Sequence, residues 1–229
     1  MQEYVLISAD TRADEHMNQQ LSDPETRLEE RARRKAAKRE SKKTEIAVST
    51  LDALKRIGYA NTTMRDIAAH SGMSLGSLTY YFTDKAELIT YCVRLYKSEF
   101  IGRIEDAVRI HHDTGKVLDS LAEELARSIT DDLSTHRLWY DIRSQAMFDP
   151  AFRPVVAEIE DKLKETVGIA LQAAGMQDEY FSQLGYAMLD GVFRLLLQNT
   201  SGDEQQHEQL VRQLRSALTG IVQMKSSSS

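Results

Sequence analysis

Cysteine is almost missing from this 229-residue chain, and the single thiol, Cys92, rules out an intramolecular disulfide. Set in the apolar period Tyr91, Cys92, Leu95, it is expected to be buried and structural. Proline occurs three times, and no segment alternates apolar and polar residues between Asn-Gly or Asp-Gly turns, which argues against hairpins. No run approaches the roughly 20 apolar residues of a membrane span. The opening residues, MQEYVLISADTRADEH, lack the basic-then-apolar order of a secretory signal. These absences point to a cytoplasmic protein with no membrane partner. Phosphate loops, a GxSxG turn and paired cysteine motifs are also missing.

Positive charge is in overall deficit, with a formal net charge of −6, but it is unevenly placed. Residues 27–43 read RLEERARRKAAKRESKK, whereas residues 99–165 and 178–208 are acid-rich. A basic head on an acidic body leaves nucleic acid open as a partner, because local charge and not net charge sets such binding. Taken alone, the basic run also fits a solvated helix face or a loose arm.

Helical spacing recurs along the chain and predicts an all-α protein of about nine helices. Residues 1–26 show no clear period and are expected to be a flexible extension. A first helix is expected from somewhere after Arg31 to Ile57, with Ile46, Ala47, Thr50, Leu51 and Leu54 on one face and Gly58 as its stop. Two short helices follow, over residues 63–71 and 74–81, then a long one from Lys85 to about His112. Separate helices are expected over 117–130 and 135–148. Asp149-Pro150 breaks the period and restarts it, and the next helix stops near Gly175. Two last helices cover 178–198 and 203–224, and residues 225–229 are expected to be a disordered tail. The organisation is a basic arm and three-helix head over 27–84 and a larger helical body over 85–224.

The stretch TTMRDIAAHSGMSLGSLTYYF, residues 62–82, carries the sharpest functional signal. Thr63 can cap the first short helix, Gly72 suits a tight turn, and Ser74 can cap the second. Two short helices joined by a glycine-containing turn of three or four residues form a helix-turn-helix, whose second helix enters the DNA major groove. Such a helix needs small residues where backbones approach, hydroxyls for phosphates or base edges, and apolar groups for thymine methyls. Gly76, Ser77, Thr79, Tyr80 and Tyr81 meet that need, while Leu78 and Phe82 read as core anchors. A double-stranded DNA operator is the expected partner.

Across residues 44–88 the chain resembles the tetracycline-repressor (TetR) family of bacterial transcriptional regulators. The resemblance rests on the Thr62-Thr63 pair before Ile67-Ala68-Ala69, the Gly72-Met73-Ser74 turn, Gly76-Ser77-Leu78 in the second helix, the aromatic-Phe pair Tyr81-Phe82, and Lys85 three residues later. It implies that Thr63 caps and touches phosphate, that Ser77 stands at the family's Thr, and that Tyr81 stands at a backbone-contacting His or Tyr. It also implies that Lys85 meets phosphate beside the N–H groups of its helix. Thr79, where the family usually has Tyr, and Leu75, where a polar or basic residue is common, depart from the pattern. The family pattern does not cover the basic segment; residues 31–39, with Arg31, Arg33, Arg34 and Lys35, either prolong the first helix or form an arm reaching phosphates or the minor groove.

For the body the resemblance implies dimerisation through the last two helices and a small-molecule effector. Leu210, Leu214, Ala217, Leu218 and Ile221 form one apolar stripe that needs a partner, either inside the chain or, with Gly191 allowing close approach, in a two-fold four-helix interface. Trp139, Tyr140, Met147, Tyr186 and Phe193 are expected to border an effector site, although such a stripe taken alone also fits plain core. Arg143 and Asp190 recur among them at helical spacing; unpaired they would be costly to bury, so they serve a ligand, reach solvent, or pair with each other.

No cofactor, metal or enzymatic activity is expected. His111 and His112, with Asp113 beside them, point about 100° apart on a helix and suit one metal poorly. Asp66, His70 and Ser71 fall inside the helix-turn-helix. The expected function is a ligand-responsive repressor binding a palindrome as a homodimer. The alternatives are a DNA-binding protein without an effector, constitutive or architectural, and a protein-interaction adaptor using the basic head.

Overall fold

The computed structural model describes residues 24–111, 113–176, 179–201 and 206–224; the expected N-terminal extension up to residue 23, the expected tail over 225–229 and His112 lie outside them. Among the described residues there are eight α-helices, one 3-10 turn and no strand. Among these residues no helix is long and apolar enough to cross a membrane.

Helix α1 (Pro24–Ile57) begins earlier than the apolar period suggested. Its first half lacks Gly and is built from Ala, Arg, Lys and Glu, strong helix formers that need no buried face. Pro24 suits the first turn. Ion pairs along the helix add to this, Arg34 with Glu30 at 3.4 Å and Lys42 with Glu45 at 2.6 Å. Of the two alternatives for the basic segment, prolongation of the first helix is the one adopted, and Arg31, Arg33, Arg34 and Lys35 are all exposed. The fold divides inside α1, between Ile46 and Ala47.

From residue 47 onward, α1 ends at Gly58, whose φ of 80° is the left-handed conformation glycine adopts without cost. Helices α2 (Met64–His70) and α3 (Leu75–Tyr81) follow, then α4 (Lys85–Arg109). Helix α5 (Thr114–Gln145) spans what the sequence suggested were two helices. The expected break survives as a local distortion at Asp132 (φ −117°, ψ 21°), whose carboxylate accepts a 2.8 Å hydrogen bond from Arg103 of α4. Asp149 caps the 3-10 turn Pro150–Phe152. Helices α6 (Arg153–Ala173), α7 (Glu179–Asn199) and α8 (His207–Gln223) complete the body. Gly175, at φ 89°, stops α6 as its position predicts.

In the body, α5 packs along α8 and α4, and α6 along α7 and α4. Trp139, Phe152, Ile104, Leu121, Ile129 and Ile142 are fully buried there. Cys92 is buried, its Sγ directed at the Ala47 carbonyl at 3.6 Å, and burial pushes the thiol above its ordinary range. It is inert structural packing.

Candidate functional site

The helix-turn-helix is built by local chemistry. Thr63 Oγ1 accepts from the Asp66 amide at 3.2 Å, and the Asp66 carboxylate accepts from the Thr63 amide at 2.9 Å. This reciprocal capping box fixes the start of α2. Gly72, at φ 63°, turns the chain, and the Met73 amide returns to the Ala68 carbonyl at 2.8 Å. Ser74 Oγ accepts from the Ser77 amide at 3.0 Å and starts α3. Ile67, Ala68, Leu78 and Phe82 anchor both short helices in the interior. Of α3 they leave outside Leu75, Gly76, Ser77, Thr79 and Tyr80, the last 65% exposed with its ring edge-on to Tyr81 at 5.0 Å. An exposed face so short of charge and so rich in small and aromatic groups matches what the major groove requires.

Lys85, expected at phosphate, is engaged elsewhere. Lys85 donates to the Tyr59 carbonyl at 2.6 Å and lies 4.0 Å from the centre of the Tyr59 ring. Burial lowers its pKa. It therefore holds the turn after α1, and a phosphate contact would require it to leave that carbonyl. The α4 terminus beside it is already capped by Asp84 and carries Glu87, both acidic groups that oppose an incoming phosphate. The grouping of Asp66, His70 and Ser71 is likewise dispersed: Asp66 serves the cap, His70 Nε2 lies 3.0 Å from Asp52, and Ser71 accepts from Ser49 at 2.9 Å.

In the body, Trp139, Tyr140, Tyr186, Asp190 and Phe193 come together around a cavity of about 40 Å³. Lys97, Phe100 and Ile104 of α4 complete one wall, and Leu125, Leu163, Val167 and Leu189 the rest. That volume accommodates a small polar head group or ordered water, well short of the several hundred Å³ a drug-sized ligand fills. Arg143 and Met147 lie outside this cavity, in an adjoining surface groove of about 590 Å³ that Tyr140 and Asp190 also line. Met147 is 73% exposed because it follows the end of α5. Tyr140 and Asp190 thus form the partition between cavity and groove.

That partition is a closed ion-pair cluster. Arg143 Nη1 donates to Asp190 at 2.7 Å and Nη2 to Glu160 at 3.3 Å. Its Nε lies 2.8 Å from the other Glu160 oxygen, near enough to attract but at an angle that makes no hydrogen bond. Tyr140 donates to Asp190 at 2.8 Å and Tyr186 to Glu160 at 2.9 Å. Burial, then the neighbouring carboxylates, raises both phenol pKa values, so the hydroxyls stay protonated as donors. Of the sequence alternatives for Arg143 and Asp190, mutual pairing is the one adopted. Glu160 was missed, since it lies on another helix with nothing local to tie it to the cluster.

Lys97 was missed too, although a signal existed. It replaces an apolar residue in the stripe Val93, Lys97, Ile101, Ile104. It is 2% exposed, and its Nζ lies 4.6 Å from the Phe100 ring centre, 5.0 Å from Trp139 and 5.4 Å from Tyr96. Burial pushes its pKa down to about 7 against the pull of Asp190 and Glu160. Nearby His136 is fully buried among the edges of Tyr96, Phe100 and Phe193, and burial, then the charge of Lys97, holds it well below the ordinary imidazole value.

The stripe on α8 needs correction as an interface. Leu210, Leu214, Leu218 and Ile221 are buried within the chain, where α8 packs on α5 and α7, so they are not available to a second copy. Gly191 is exposed and Ala217 half-buried. Gly185 instead serves the in-chain packing, since an added Cβ would lie 2.6 Å from Leu171 and 3.0 Å from Ile221.

An all-helical body carrying a capped helix-turn-helix with an exposed second helix defines a DNA-binding transcription regulator. Residues 46–92 match the family model of bacterial regulatory proteins, tetR family. The HTH-type transcriptional regulator PksA of Bacillus subtilis (strain 168) is 26% identical over 168 residues, covering 67% of this chain and 77% of PksA. Among solved structures, a TetR-family regulator from Mesorhizobium loti MAFF303099 shares the fold with a TM-score of 0.65 at 21% identity, over 81% of this chain and 97% of that one. The multidrug binding protein EbrR, complexed with imidazole, aligns with a TM-score of 0.58 at 27% identity, over 78% of this chain and 93% of that one. Residues 46–92 thus carry the helix-turn-helix segment of the tetR family of bacterial regulatory proteins.

Proposed function

We propose that this regulator is a repressor that binds a palindromic operator as a homodimer and is released when a small, partly apolar effector enters the body. The observation that carries this reading is the path of α4. Its first residue, Lys85, grips the turn that follows α1 at the head, and Lys97, Phe100 and Ile104, three to five turns further on, line the cavity. An effector that favours one position of α4 changes the placement of α3, and by linkage operator affinity falls by the factor its own affinity differs between the two forms. That the similar EbrR is a multidrug binding protein, solved in complex with imidazole, supports a ligand-binding role for this cavity. On DNA, α3 would read bases through Gly76, Ser77, Thr79 and Tyr80. Thr63, Ser74 and Tyr81 would meet the backbone, and Arg31, Arg33, Arg34 and Lys35 would add phosphate contacts.

The dimer surface supported by the exposed residues is α7. Leu184, Met188, Gly191 and Leu195 recur at spacings of four, three and four, which aligns them on one face, and all four are exposed. Two such faces crossing at Gly191 would pair two copies of α3, as reading half-sites about 34–36 Å apart requires. Leu195→Glu is expected to yield a folded monomer by sedimentation velocity and to lose the two-fold footprint on DNA. A dimer unaffected by that change, still protecting a symmetric site, would move the interface elsewhere.

A further inference from the structure

The charges around the inner cavity sum to zero, Asp190 and Glu160 against Arg143 and Lys97, but they are unevenly partnered. Asp190 is matched by Arg143 and Tyr140, and Glu160 behind it by Arg143 and Tyr186. Lys97 has no hydrogen bond or ion pair among the described residues; the rings of Phe100, Trp139 and Tyr96 lie beside its ammonium, and Asp190 and Glu160 act on it without direct contact. Ring faces attract a cation but do not replace its water shell, so a buried lysine without a direct partner is costly. Lys97 lines the inner cavity. A cationic ligand would meet Lys97 inside and would have to displace Arg143 from Asp190.

We propose that the cavity takes the carboxylate of a small monocarboxylic acid, paired to Lys97, with the acid's aliphatic or aromatic body packed against Ile104, Leu125, Leu163 and Val167. This rests on the reading of the body as an effector site and names the ligand class for it. Entry is through the Tyr140 and Asp190 partition, from the outer groove that shares both residues. The present cavity fits the head group, and the body of the acid enters by displacing these side chains. Because Lys97 stands on α4, the ion pair forms on the helix that carries the head.

The pairing is coupled to protons. Lys97 faces Tyr96 on its own helix, Asp132, His136 and Arg143 of α5, Glu160 of α6 and Asp190 of α7. With an unliganded pKa near 7, the ammonium is present below pH 7 and largely lost above it, whereas a bound carboxylate raises that pKa. Acid binding is therefore strongest below pH 7, takes up a proton above it, and weakens as pH rises.

The test uses the full chain and its single tryptophan, Trp139, which lines the cavity. Octanoate, 1-octanol and octylammonium are titrated into wild type and Lys97→Met, read by Trp139 fluorescence and thermal midpoint at pH 6.5 and 8.5. Octanoate is expected to bind wild type about tenfold or more tighter than octanol at pH 6.5, and to weaken roughly ten- to thirtyfold at pH 8.5. Lys97→Met is expected to remove that advantage while changing octanol affinity less than about threefold. Should this variant fail to fold, the wild-type pH dependence and the order of the three probes decide. Octylammonium binding best, or octanoate affinity indifferent to pH, overturns the acid assignment and leaves the cavity reading standing. No response to any of the three overturns the cavity reading as well.

Discussion

Gly76→Leu is expected to cost about a hundredfold or more in affinity for specific DNA while leaving the protein folded. Gly76 lies in α3, on the exposed face, and an added Cβ meets nothing nearer than Ser74 Oγ at 4.0 Å. Its backbone is ordinary helix, so no left-handed conformation is lost. Replacing glycine inside a helix by leucine stabilises it by up to about 1 kcal/mol. The chain itself therefore has no use for a glycine at this position. A helix seated in the major groove does, because a branched side chain there holds the backbone away from bases and phosphates together. Since each good bidentate base contact is worth about 1–3 kcal/mol, lifting the whole helix removes more than one. Circular dichroism, thermal melting and fluorescence anisotropy on specific DNA check it. A variant that folds and still binds would remove α3 from the groove.

Arg143→Met is expected to destabilise the body by roughly 2–4 kcal/mol, somewhat less than for a fully buried pair because the Arg143 side chain is 32% exposed. Two carboxylates depend on this one guanidinium, and their side chains are only 20% (Asp190) and 13% (Glu160) exposed. Losing it leaves Asp190 and Glu160 with a single tyrosine hydroxyl each. For a domain of this size the thermal midpoint falls by roughly 4–16 °C. The triple variant Arg143→Met, Asp190→Asn, Glu160→Gln should recover most of the loss, because it removes the stranded charges. Equilibrium urea unfolding of the three proteins decides. A single variant within about 0.5 kcal/mol of wild type would mean that the cluster is well solvated and does not close the cavity.

The helix-turn-helix was legible because its determinants are local. Thr63, Gly72 and Ser74 act within three residues of themselves, and the packing of Ile67 and Leu78 follows from helical spacing. Membership of Trp139, Tyr140, Tyr186, Asp190 and Phe193 in one cavity was legible from aromatic and charged residues sharing helix faces. What the sequence left unread depends on partners distant in sequence. The α8 stripe states that a face must be covered and not by what; α5 and α7 cover it, and the uncovered stripe lies on α7. Lys85 looked free for phosphate because nothing in its own helix engages it, whereas its acceptor is a carbonyl 26 residues away. By contrast, the expected division of α5 is present as the kink at Asp132, where Arg103 binds the carboxylate. Lys97 could have been found, since a lysine flanked at four-residue steps by Val93 and Ile101 must point inward.

Whether the head distinguishes DNA sequences is decided by a salt titration of the full chain. Labelled duplex from upstream of the protein's own coding sequence is compared with random duplex of equal length by anisotropy. The prediction is a specific affinity about a thousandfold or more above the random duplex, with log K falling steeply and linearly against log salt. Equal affinity for both duplexes at every salt concentration, or none for either, would contradict it.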